Sequence, residues 1–159
     1  HCLLRRQRQM CIRDRVIMFA EIALQTILAV IVGAIWLTPL VVSPAARSSL
    51  DEEALKFFLK TFFLRFHLFL VIMLSAYLSV VYFFQLLEYE LIWSSTKNLV
   101  MLILLGVNTI NLLLSLIINN TKIDTASSIF RAMHGLSVAI FASTSFVSLY
   151  YLIEKFVSL

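Results

Sequence analysis

Residues 99–118 read LVMLILLGVNTINLLLSLII, twenty positions without a charge. A helix rises about 1.5 Å per residue, so about 20 apolar residues cross a hydrocarbon core about 30 Å thick. Three further stretches meet the same length: Val16–Val42, Leu55–Leu87 and Ile129–Ile153. Strands do not explain such runs. A barrel needs alternating rather than continuous apolar residues, and an open sheet edge is not tolerated in lipid. The expectation is an all-α polytopic membrane protein, four antiparallel transmembrane helices in a bundle.

Composition agrees. The chain has 159 residues, 61% of them hydrophobic and 14% charged, against about 25% charged in a soluble domain. Mean hydropathy is +0.95. With three Gly and two Pro there is no flexible linker, and residues 16–159 read as one four-span membrane domain. Cys2 and Cys11 both precede it, so the membrane part offers no cysteine for a disulfide or a metal.

The net charge of +4 invites a nucleic-acid reading, which the distribution of charge rejects. Arg5, Arg6, Arg8, Arg13, Arg15 and Asp14 all lie in residues 1–15, and without them the chain is neutral. That segment does not start with Met and its composition breaks at Val16. It resembles adapter read-through at the end of a translated environmental sequence, and is expected to be a non-native tail. The alternative is a basic arm at an anionic membrane surface. The first apolar run is too long for the core of a signal peptide, about 7–15 residues.

Prolines at 39 and 44 are expected to kink or stop the first helix, with Trp36 in an interfacial belt. Ser49 and Glu52 have capping-box spacing, and Asp51, Glu52 and Glu53 suit a helix N-terminus. The second helix should therefore begin near Leu50. It enters the bilayer through an aromatic, basic segment with Lys56, Lys60, Phe57, Phe58, Phe62 and Phe63. Near 35 residues long, it must tilt, bend or protrude. Ser94, Ser95 and Thr96 are candidate caps of the third helix, as are Asp124, Thr125 and Ser127 of the fourth. Short connections make neighbouring helices antiparallel.

Basic residues set the expected orientation. Arg47, Lys56, Lys60, Arg65, Lys122 and Arg131 lie toward one side, Lys97 and Lys155 toward the other. The positive-inside rule places the basic loops in the cytoplasm, in a bacterial inner membrane.

Polar groups within spans are costly and are the first functional candidates. They are Arg65 and His67 in the second helix, Asn108 and Asn111 in the third, and Arg131 and His134 in the fourth. The sharp reading joins all six at the cytoplasmic mouth, where the arginines hold an anion and the histidines relay protons or ligate a metal or haem. The structural reading has the arginines snorkelling, and the histidines and asparagines bonding neighbouring helices. Ser143, Thr144 and Ser145 read as small packing residues. Asn119-Asn120-Thr121 fits a glycosylation pattern by chance. There is no nucleophile elbow, H-E-x-x-H, phosphate loop or acidic metal cluster. No catalytic residue, metal site or cofactor is expected. The function expected is non-enzymatic, through helix packing or partner contacts, in the lipid bilayer and with a homo-oligomer or another membrane protein. A small transporter or channel subunit and a haem- or metal-binding redox subunit are the alternatives.

Three motifs carry a resemblance: Phe130-Arg-Ala-Met-His134-Gly-Leu-Ser137, Val41-Val-Ser-Pro44-Ala-Ala and Phe63-Leu-Arg65-Phe-His67. They are similar to the F-x-x-L-H-G-L-S, V-x-A-P-A-L-F and F-P-R-Y-Y elements of the domain-of-unknown-function 4149 family, relatives of transmembrane protein 205. Arg47 stands where that family has Phe, Leu64 where it has Pro, and His67 where an aromatic is usual. The resemblance implies a four-helix membrane protein and supplies no catalytic residues.

Overall fold

The computed structural model describes residues 2–86, 96–120 and 128–157, with side chains for 15–84, 96–117, 128, 132–154 and 157. Five α-helices and one π-helical turn make up these segments: α1 (Cys2–Leu37), the π turn (Thr38–Val42), α2 (Ser43–Ser49), α3 (Glu52–Leu86), α4 (Thr96–Asn120) and α5 (Ser128–Val157). No strand occurs among the described residues. Four helical stretches are long and apolar enough to cross a membrane: Arg15–Ser49, Glu52–Phe84, Thr96–Ile117 and Ala132–Glu154. The expected fold class is what the structure has.

The helices form a closed ring. α1 packs on α3 and α5, and α4 packs on the same two helices from the other side. Each presents a seam built from steps of three and four residues, the spacing of ridges-into-grooves and coiled-coil packing. On α1 the seam is Ala20, Leu24, Leu28, Ile31 and Ile35; on α3 it is His67, Leu70, Leu74, Tyr77 and Val81; on α4 it is Met101, Leu104, Asn108 and Asn111. Phe141, Thr144 and Ser148 continue the pattern on α5. Large aliphatic side chains such as Ile72, Ile103, Ile110 and Leu113 point outward. Polar residues inside and aliphatic residues outside are the distribution that a lipid solvent stabilises.

Two local expectations need correction. Of the two outcomes expected of the prolines, a kink or a stop, the stop does not occur: helical structure continues past both. Each lacks an N–H donor, and its ring crowds the carbonyl one turn earlier. The chain relieves this by widening: the Ser43 N–H reaches Thr38 O, five residues back, and α2 then continues to Ser49. Thr38 Oγ1 adds a bond to Ala34 O at 3.1 Å. Nor does this break lie at a membrane boundary. Asn108, the central residue of α4, bonds Thr144, and Trp36 packs edge-on against Phe146, two residues further along α5. Trp36 therefore stands at the mid-depth of the bundle, with Pro39 one turn below, and is not an interfacial anchor.

The cap of α3 also moves. Leu50 is extended (φ −115°, ψ 144°), and Asp51 is the N-cap: the Ala54 N–H donates to its Oδ1 at 3.0 Å. Ser49 is the last residue of α2 and makes no capping box. The acidic start survives, with Glu52 paired to Lys56. Asp51→Ala is expected to lower stability by about 1 kcal/mol in a detergent-unfolding titration, as loss of an N-cap does elsewhere. The candidate caps Ser94 and Ser95, and Asp124, Thr125 and Ser127, lie outside the described residues.

Candidate functional site

The interior polar groups arise from the seams themselves. Asn108 and Asn111 are three residues apart on one face of α4, so both meet α5 or α3. Asn108 Nδ2 donates to Thr144 Oγ1 at 2.9 Å and to Leu104 O at 2.9 Å. Thr144 Oγ1 in turn donates to Ile140 O at 2.8 Å. Ser137 Oγ donates to Asn111 Oδ1 at 2.6 Å. Two bonds thus fasten α4 to α5.

His67 extends the network to α3. The residue is 2% exposed, and its ring lies tilted against Phe141 at 4.7 Å between centroids. Nδ1 contacts the Phe63 carbonyl, which fixes the proton on that nitrogen and leaves Nε2 as an acceptor. The Asn111 side chain neighbours the same ring across the α3–α4 interface. Asn111 Nδ2, a donor, and His67 Nε2 each lack a partner among the described residues. They are chemically complementary, a donor and an acceptor on facing helices.

Arg65 does not belong to this network. Residues two apart on a helix point to opposite sides: His67 faces inward and Arg65 is exposed. His134 is exposed as well, and its ring meets Phe63 edge-on at 6.2 Å. The Arg131 side chain lies outside the described residues. The five candidates with described side chains are therefore not gathered at one mouth. His67, Asn108 and Asn111 sit within the bundle near its mid-depth, whereas Arg65 and His134 are exposed. Among the described residues there is no group of three His, Cys, Asp or Glu side chains able to hold a metal.

A second feature was not read from the sequence. Where the π turn opens α1, a cavity of about 300 Å³ lies between α1, α3 and α5. Trp36, Phe63, Phe66, Phe141 and Phe146 wall it, with Pro39 and Ser43 from the break and His134 and Ser145 from α5. Ser145 is 2% exposed, and its hydroxyl has no partner among the described residues. Of the polar candidates with described side chains, His134 alone lines this space. The available signal was the proline pair: an interrupted helix inside an apolar stretch marks backbone that must line protein or a cavity.

At the opposite end of the bundle Lys97 pairs with Glu154 at 2.9 Å and lies over the Tyr151 ring. Comparison of the chain with family models, with curated proteins and with solved structures gives no match.

Proposed function

We propose that this is a non-enzymatic, multi-pass membrane protein that works through helix packing and contacts with a second copy or another membrane protein. One observation carries the reading. Asn108 bonds Thr144, and Ser137 bonds Asn111, from helix to helix across the α4–α5 interface. Such bonds orient helices; they do not by themselves make a reactive or conducting site. A transport path, or a haem or metal centre, would need the polar candidates to converge on open space, and His134 is the one described candidate that reaches it. The motif resemblance to the domain-of-unknown-function 4149 family supports the four-helix membrane part of this reading and supplies no catalytic residues. The imbalance of basic residues favours the α2 end facing the cytoplasm of a bacterial inner membrane.

Photo-crosslinking tests it. A photoreactive phenylalanine analogue placed at exposed Ile103, Ile110 or Phe83 is expected to give a discrete protein adduct in native membranes from at least one position. An adduct at twice the mass identifies a second copy. Lipid adducts alone at every exposed position would overturn the proposal.

A further inference from the structure

The cavity beside the π turn has the makings of a ligand site. Binding sites for small molecules are mostly apolar, of about 300–1,000 Å³, with a few polar groups that fix orientation. This one, at about 300 Å³, meets the lower bound. Its wall combines buried residues, Ile35, Phe141 and Ser145, with exposed ones, Trp36, Val138 and Phe146. It therefore opens sideways, on the flank that lipid covers, and a ligand would arrive from the bilayer.

Three observations narrow the occupant. Among the described residues that line the cavity there is no Lys, Arg, Asp or Glu, so none of them holds a phosphate or another charged headgroup. Five aromatic rings favour a flat ring over a flexible acyl chain, because offset and edge-on ring contacts add to simple burial. Ser145 lines the cavity, and a turn about its Cα–Cβ bond would bring its hydroxyl, sealed and unpartnered among the described residues, to a hydrogen-bond acceptor on a ligand; leaving such a group unmet costs about 1–3 kcal/mol. The helix break supplies the room, since π turns inside α-helices recur at functional sites.

We propose that this cavity binds a neutral, flat, lipophilic ring bearing a carbonyl oxygen, of the quinone type, held by aromatic contacts and by a hydrogen bond from Ser145. The proposal concerns binding alone and does not depend on the partner-contact reading above.

Trp36 provides the readout. The chain has two tryptophans, and Trp93→Phe leaves Trp36 alone in the wall. The protein, in lipid nanodiscs, is titrated with menadione. Saturable quenching of Trp36 fluorescence is the expected result. Ser145→Ala should raise the half-saturation concentration about three- to tenfold, in line with one hydrogen bond. Ala142→Leu, which fills the cavity wall, should remove the saturable component. Ser143→Ala, at an exposed serine bonded to its own helix, should change nothing, and circular dichroism checks that each variant folds. Quenching that grows linearly without saturation, or that is the same in Ser145→Ala and Ala142→Leu, would overturn the proposal. So would saturating quenching by brominated acyl chains that menadione fails to relieve, because a lipid tail would then be the occupant.

Discussion

Leu74→Ala is expected to lower the stability of the bundle by about 2–4 kcal/mol, while Ile72→Ala changes it by less than about 0.5 kcal/mol. Both residues lie on α3, two positions apart. Leu74 is fully buried in the seam and Ile72 is 51% exposed. Removing three carbons from a packed seam leaves a void whose lining loses its dispersion contacts, and buried leucine truncations cost about 2–5 kcal/mol. The same atoms at the lipid face exchange contact with one apolar neighbour for contact with another. Reversible unfolding in mixed micelles, driven by the mole fraction of a denaturing detergent, measures both. Equal losses would mean that the seam is not where helices meet.

The second large effect is at Asn108. Asn108→Asp places a carboxylate at the centre of α4, where a charge costs about 2.5–3.5 kcal/mol of insertion free energy. Thr144 cannot offset it fully, because its hydroxyl already donates to Ile140 O. Asn108→Leu should be far milder. It removes one interhelical bond, worth about 0.6 kcal/mol on average in membrane proteins and about 1.7 kcal/mol at most, and Thr144 keeps its own bond. Acidification neutralises the introduced carboxyl and should return most of the loss in Asn108→Asp while leaving Asn108→Leu unchanged. Unfolding titrations of both variants across pH separate these outcomes. A severe, pH-independent loss in Asn108→Leu would show that the asparagine does more than fasten α4 to α5.

The architecture was legible because lipid leaves few choices. Runs such as 99–118 allow little but a spanning helix, and short connections force antiparallel neighbours. The asparagine pair was legible for the same reason: three residues apart, Asn108 and Asn111 share a face, and their costs in lipid turn that face inward. Helix azimuth was harder. Arg65 and His67 were read as a pair from their closeness in sequence, yet two residues of helix separate their directions by about half a turn. Depth was harder still. Trp36 and the prolines resemble a boundary in sequence, because tryptophan favours interfaces and proline favours helix ends. Only the tertiary contact with Phe146 shows that the break lies mid-bundle. The capping box failed by a smaller margin: Asp51 competes with Ser49 for the same role, and the aspartate won because Leu50, not Ser48, leaves the helix. Of the cavity only the proline break was legible, since its wall is assembled from three helices at positions that individually read as ordinary aromatic and small residues.

The four-span arrangement is tested most directly by labelling from the two sides of a sealed membrane. Cys2 and Cys11 are replaced by serine, and single cysteines are introduced as Ser48→Cys at the end of α2 and Thr96→Cys at the start of α4. A membrane-impermeant maleimide is then applied to intact vesicles before and after permeabilisation. The account predicts that the two positions label from opposite faces, one before permeabilisation and the other only after it. Labelling of both from the same face, or recovery of the protein in the soluble fraction without detergent, would contradict it.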